Sequence, residues 1–535
     1  MKKLICGGMV YDGSGCEPAR ADVLVSGGVI KAVGPGLDSQ DVEAQRIDAA
    51  GMAVTPAFID MHRHCDAAPF RDAQFGHLEL AQGIATTVVG NCGLAPVPLR
   101  SMDEKTSRAF LAPVTGEIPH MDAFLSYAAY FSALHARALP INMGVLAGTG
   151  AIKVAVKGFS NTPYTPEEIR AAQGLLGEAM QEGAFGASLG LMYQPECYTT
   201  PDEQAQVILP AAKAGGVLTA HIRGEGDSLV SSVKEVIGIA RKAGIRLNIS
   251  HFKSTGIRNW NDKIYAAMEQ IENARAEGMD VTADFYPYAG GSTTLVSLVP
   301  PHIWGEGDAQ TLRYLGSDAG KRKMRAEIES THAGWDNMAL SIGWDRILIA
   351  SVQDAAHADY SGKDMASLAT QLGYAHPSDL MCDLLASEGG QVGIIVLCMD
   401  PSDVDAVAKL PYTALISDAL YSGGLNPHPR LYGAFPRLIQ DLVVTRKVLA
   451  MREAVHKMTG MPARIMGMKG RGFIRPGYAA DINLFVPENL AAPATYTASR
   501  TLSTGMARVM IGGETVFENE TVRSGQAGRL LRRTP

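Results

Sequence analysis

Ala57-Phe58-Ile59-Asp60-Met61-His62-Arg63-His64 is a short apolar run that ends in two histidines one residue apart. An apolar run of this length reads as a buried strand, and alternation along an extended segment sends His62 and His64 to the same side. Two further histidines close later apolar runs, His221 after Val217-Leu218-Thr219-Ala220 and His251 after Leu247-Asn248-Ile249-Ser250. A lone buried histidine is usually a hydrogen-bonded core residue. Repetition at successive strand ends is poorly explained by packing and points to a metal-dependent enzyme, since neutral imidazoles facing inward bind zinc or another borderline ion.

Working outward, strand-like runs alternate with longer helical stretches such as 166–181, 229–243 and 262–277. The principal strands are predicted at 57–61, 86–90, 141–146, 186–189, 217–220, 247–250, 280–285 and 414–417. Eight such strands predict an α/β fold, a metal-dependent (β/α)8 barrel whose site lies where the C-terminal strand ends converge. Runs 346–350 and 393–397 are also strand-like, and 290–344 has poor barrel periodicity, so that stretch is expected to be an inserted lid or subdomain near the barrel mouth. Residues 421–437 predict a further long loop there. Short β-like pieces at 3–6, 22–25 and 29–33 match the texture of 481–486 and 507–511. The expected division is therefore a small β-sandwich-like domain from 1–55 and 475–535, and a catalytic barrel from 56–474.

Composition narrows the function classes. The 535 residues are 46% hydrophobic with a formal charge of −7, and no basic stripe supports a nucleic-acid partner. No run approaches the roughly 20 apolar residues needed to span a bilayer, and Met1-Lys2-Lys3-Leu4-Ile5-Cys6-Gly7-Gly8 breaks at glycines before it resembles a signal segment. Seven sparse cysteines call for no disulfide scaffold, so the expected compartment is the cytoplasm and no membrane partner is expected.

Cys92 follows Thr86-Thr87-Val88-Val89-Gly90-Asn91, which puts a thiol at another strand end. Alone it would read as a buried structural cysteine; beside the histidines, Cys plus two His is a sound zinc set, and zinc stabilises the thiolate. Asp418 ends the last predicted strand in Ala414-Leu415-Ile416-Ser417-Asp418. A strand-end carboxylate at a barrel mouth can take the proton of a metal-activated water and deliver one to a leaving nitrogen.

These residues resemble the N-acyl-D-amino-acid deacylases, or D-aminoacylases, of the amidohydrolase superfamily. The resemblance runs through 56–64, Asn91-Cys92-Gly93-Leu94-Ala95-Pro96, His221-Ile222-Arg223-Gly224-Glu225-Gly226-Asp227, Asp284-Phe285-Tyr286-Pro287-Tyr288, His428-Pro429-Arg430 and Tyr432-Gly433-Ala434-Phe435-Pro436-Arg437. It implies one tightly held zinc on Cys92, His221 and His251, and a second, weaker position completed by His62 and His64 near Cys92 and Asp418. It also implies that Cys92 takes the place of a bridging carbamylated lysine, so Lys153 is given no metal role. Lys253, Tyr286 and Ser292 are implied as contacts to the substrate carboxylate, with Tyr193 and Arg430 or Arg437 as further pocket candidates. The sequence departs from the pattern at Cys65, Thr149 and Ala419, which bears on acyl and side-chain preference more than on the reaction.

The expected activity is zinc-dependent hydrolysis of a small N-acyl-D-amino acid to a carboxylate and a free D-amino acid, with Asp418 as general base and acid. Alternatives within the superfamily are a cyclic amidase, a hydantoinase-like enzyme or a dipeptidase, and more remotely a deaminase. From another class, a non-catalytic metal- or partner-binding barrel would use the same residues without hydrolysing an amide. Side-chain preference and oligomeric state are not encoded in these motifs.

Overall fold

In the computed structural model, the described residues are 2–37, 43–99, 104–304, 309–332, 335–421 and 424–534. Parts of two stretches singled out above, 305–308 and 333–334 of the insertion and 422–423 of the long loop, lie outside them. In chain order the strands are β1 (Lys3–Val10), β2 (Ala19–Ser26), β3 (Val29–Gly34), β4 (Gln45–Asp48), β5 (Ala53–Pro56), β6 (Phe58–Asp60), β7 (Arg63–His64), β8 (Ile84–Val89), β9 (Asn142–Val145), β10 (Ala147–Gly148), β11 (Gly186–Gly190) and β12 (Val217–His221). They continue with β13 (Arg246–Ile249), β14 (Val281–Phe285), β15 (Gly291–Thr294), β16 (Ile347–Ser351), β17 (Gly393–Val396), β18 (Thr413–Leu415), β19 (Ala419–Leu420), β20 (Ile482–Phe485), β21 (Met506–Ile511), β22 (Glu514–Glu518) and β23 (Thr521–Val522).

Parallel pairing runs β6-β8-β9 and then β10-β11-β12-β13-β14-β18. Closure comes from β7 and β19, which pair parallel through Arg63 with Ala419 and His64 with Leu420. The first and last strands of the (β/α)8 barrel thus meet at the C-terminal mouth, where Asp418 N also donates to His62 O at 2.9 Å. A parallel sheet covered on both faces needs strands without a polar side, and all of Ile84–Val89 and Val217–His221 is buried. The intervening helices carry their own boundaries. Helix Pro166–Glu182 opens on a reciprocal cap between Thr165 and Glu168, with proline in its first turn, and ends at Gly183 in the left-handed region at φ 101°.

Both chain ends meet in one sheet ordered β23-β22-β21-β20-β5-β1-β2-β3, with β4 beside β1. Phe58 joins this sheet to the base of the barrel. It stacks on Phe435 at 5.7 Å between centroids and meets Phe485 of β20 edge-on at 5.9 Å.

The two extra strand-like runs are real strands outside the barrel. They form β16 and β17, which pair antiparallel, and β17 also pairs with β15 just after β14. Because Gly291 ladders with Val396, the segment that leaves the barrel after β14 runs past residue 344 and returns only before β18. Among the described residues no helix is long and apolar enough to cross a membrane.

Candidate metal and catalytic site

Every histidine flagged at a strand end is buried at the barrel mouth. His62 and His64 bracket Arg63, and the strand alternation separates their roles. The two imidazoles turn inward, while the fully buried Arg63 donates to Asp60, Ser417 Oγ and Tyr421 OH and pairs with Glu79 at 3.1 Å. Cys92, His251 and Asp418 each turn out of their strands through left-handed backbone, at φ 55°, 36° and 49°. Such conformations cost non-glycine residues about 1–2 kcal/mol each. Here they aim three side chains at one point. Gly93, at φ 67°, must be glycine, since a Cβ there would stand 2.9 Å from Gly190 N and closer still to the Glu196 carboxylate.

The donors form two triads that share Cys92. In each of His62, His64, Cys92 and Cys92, His221, His251, the potential ligand atoms lie within 4.8 Å of one another. Cys92 Sγ is 3.1 Å from His62 Nε2 and 3.6 Å from His251 Nε2. Burial pushes the Cys92 thiol up, but His62, His251 and His64 more than reverse this and hold it well below the ordinary thiol range. Burial pulls His221 down to about 4, so it presents a neutral lone pair. Burial opposes the charging of His64 as well, yet its contacts with Asp418 and Cys92 raise it to about 9. A buried thiolate with a carboxylate close by therefore gathers protons where a cation would otherwise balance the charge. This donor set fits a metal, and soft sulfur with imidazole fits zinc.

Asp418 Oδ1 lies 3.4 Å from both His62 Nε2 and His64 Nε2, while its Oδ2 is 2.8 Å from Arg430 Nη1. Burial pushes this carboxyl up, and Arg430 and the imidazoles together hold it well below the usual carboxylate range. A cleft of about 590 Å³, open to solvent, is lined by His64, Cys92, His221, His251 and Asp418. Lys253, Tyr286, Ser292 and Tyr193 line it too. The Tyr286 hydroxyl is buried without a hydrogen-bond partner, with Lys253 Nζ 5.8 Å and the Arg430 guanidinium 4.7 Å from its ring centroid. Tyr193 packs on His221 at 4.7 Å. Ser292 Oγ donates to Ile394 O at 3.0 Å.

One residue sits differently from the sequence reading. Arg430 does not line the cleft: it is buried behind it, against Asp418 and the Tyr286 ring. Arg437, the other arginine considered, donates to Pro287 O at 2.9 Å and covers the Tyr288 ring, which matches the alternative reading that this arginine ties down a loop. Lys153 donates to Pro195 O and Thr199 Oγ1 and belongs to neither triad.

Sequence reasoning gave no role to Glu225 or Asp284, although both stood in quoted motifs. Glu225 Oε1 is 2.5 Å from Lys253 Nζ and 2.9 Å from His251 Nδ1, so it orients a ligand histidine and a cation at once. Asp284 accepts from His251 N and Asn248 Nδ2 and lies 3.8 Å from His62 Nδ1. The signal for Glu225 was its place between Gly224 and Gly226, four residues beyond His221.

Known proteins match this geometry along nearly the whole chain. The Amidohydrolase family matches over residues 383–517. An N-acyl-D-glutamate deacylase of Alcaligenes xylosoxydans xylosoxydans is 32% identical, with 99% of this chain and 96% of that protein covered. A D-aminoacylase of the same organism is 30% identical, covering 99% and 97%. Among solved structures, the N-acyl-D-glutamate deacylase of Bordetella bronchiseptica, complexed with zinc and a phosphonate mimic of the tetrahedral intermediate, superposes with a TM-score of 0.82 at 31% identity and 99% coverage of both chains.

Proposed function

We propose, for a chain that belongs to the N-acyl-D-amino-acid deacylase family of the amidohydrolases, that it performs metal-dependent hydrolysis of an N-acyl-D-amino acid, releasing a carboxylate and the free D-amino acid. The observation that carries this reading is Cys92 Sγ shared by two histidine pairs, with a buried carboxylate 3.4 Å from two of the same imidazoles.

Cys92, His221 and His251 would hold one zinc, and His62 and His64 with Cys92 a second. When bound, zinc supplies Lewis acidity to the scissile carbonyl and makes the attacking water easier to deprotonate. Asp418 takes the proton from that water and returns it to the departing amine; Arg430 keeps the carboxylate ionised and aimed. Glu225 fixes His251 through its Nδ1. Lys253 and the unpartnered Tyr286 hydroxyl receive the α-carboxylate, so a free acid is selected over a neutral amide. Cys92 is committed as a ligand, which leaves water as the nucleophile.

The cleft also favours a substrate with an uncharged side chain. Apart from the ligand histidines, Lys253 is the one cation on its described lining, and the remaining wall includes Leu94, Val114, Met192, Met338 and Val396. A second carboxylate would be desolvated there without a partner. The odd and sparse set of seven cysteines supports a reducing compartment, the cytoplasm.

The test is free-amine release by the zinc-loaded protein from matched N-acetyl-D- and N-acetyl-L-amino acids with apolar, acidic and basic side chains. Selective turnover of D substrates is expected. Preference for L substrates, or no turnover across the panel, overturns the reading and favours cyclic amides or dipeptides.

A further inference from the structure

Outside the barrel site, one other group of metal-ligating side chains converges among the described residues. His302 lies on the short helix Pro301–Trp304, Glu327 on the helix Asp318–Ile328, and His332 just beyond that helix. Their ligand atoms all lie within 4.8 Å of one another.

We propose that His302, Glu327 and His332 form a second, independent zinc site that ties the insertion together. Both imidazoles present Nε2 to the same carboxylate oxygen. His302 Nε2 stands 3.2 Å from Glu327 Oε2, and His332 Nε2 stands 2.8 Å from it. Zinc bonds of about 2.0–2.1 Å in a tetrahedron put neighbouring donor atoms about 3.3 Å apart, so this spacing needs little adjustment to accept the ion. Hydrogen bonds alone would account for two histidines on one carboxylate if both contacts had hydrogen-bond geometry, and the His302 contact has it. The His332 contact does not: its Nε2 is buried and has no hydrogen-bond partner despite the nearby oxygen. A nitrogen that close to a carboxylate, yet not aimed to donate to it, is placed as a neighbouring ligand would be. Two His and one Glu leave a fourth position for water, and His302 is exposed enough for an ion to enter.

The position gives the ion something to hold. The helix carrying His302 follows β15, whose Ser292 and Thr293 line the catalytic cleft. The helix carrying Glu327 is anchored in turn to helix Pro377–Ser387 through Arg325 with Asp379 and Lys321 with Asp383. Zinc here links the segment leaving the cleft wall to the body of the insertion.

The test is elemental analysis of the full chain equilibrated with buffered zinc. His302→Ala, Glu327→Gln and His332→Ala are each expected to carry one zinc fewer than the parent, and Cys92→Ala is expected to keep the zinc that Cys92→Ala/His332→Ala loses. Zinc should protect the insertion of the parent from limited proteolysis and fail to protect it in these variants. An unchanged zinc count in His332→Ala and Glu327→Gln, or protection that persists in them, overturns the proposal whatever the barrel site does.

Discussion

Arg430 Nη1 stands 2.8 Å from Asp418 Oδ2, with both side chains buried. The contact makes Arg430 a positioning residue for the proton-transfer group. Arg430→Met removes the cation from Asp418 Oδ2 and is expected to lower kcat about 100-fold with KM changed less than about threefold. Steady-state kinetics decide it. A large rise in KM with kcat preserved would move Arg430 onto the substrate instead.

Cys92 belongs to both triads, whereas His62 and His221 each belong to one. Elemental analysis should find the barrel emptied of zinc in Cys92→Ala and only half emptied in His62→Ala, with activity of the first down more than about 100-fold. Chelation should lower the melting temperature of the parent by several degrees, because zinc binds the folded chain preferentially; the effect should shrink in Cys92→Ala. Equal losses in both variants would contradict a shared ligand.

The apolar lining predicts a ranking that overall identity does not supply, since an N-acyl-D-glutamate deacylase and a D-aminoacylase are 32% and 30% identical to this chain. N-acetyl-D-methionine and N-acetyl-D-leucine should exceed N-acetyl-D-glutamate in kcat/KM by a factor on the order of 100 or more. Placing a cation on the wall, as in Met338→Arg, should narrow the gap. Preference of the parent for D-glutamate would sink the assignment of the side-chain pocket and leave the hydrolysis itself intact.

Lys457 lies beneath the last barrel strand and donates to Leu410 O and Thr413 O, with burial pulling it down from 10.5 to about 8. Its folded pKa is below its unfolded one. Between pH 8 and 10.5 the unfolded chain therefore keeps a proton that the folded chain has released, and stability from this group rises with pH across that window. The gain is at most roughly 3 kcal/mol. Denaturant unfolding at pH 8 and 10 should show the parent gaining on Lys457→Met; parallel pH profiles would refute it.

Much of this molecule is local in origin. The runs at 217–220 and 247–250 are short and buried throughout, capped helices such as Pro166–Glu182 lie between strands, and a parallel sheet covered on both faces requires that alternation. His62 and His64 share a face because a strand has a period of two, so the ligand pair was legible before any fold. The strands at 347–351 and 393–396 were legible as strands but not as outsiders, because pairing partners are chosen across distance: β17 takes β15 and β16, antiparallel.

The sequence by itself determined the barrel, because its strands and helices alternate along the chain, and the strand-end positions of the four histidines, Cys92 and Asp418, because each of these follows from a short pattern at one strand. Only the tertiary structure decided that Arg430 serves Asp418, that Glu225 joins Lys253 to His251, and that His302 and His332 meet on Glu327. Those relations are contacts of about 3 Å between side chains that leave different strands, helices and turns, and no local propensity encodes which charged group finds which partner.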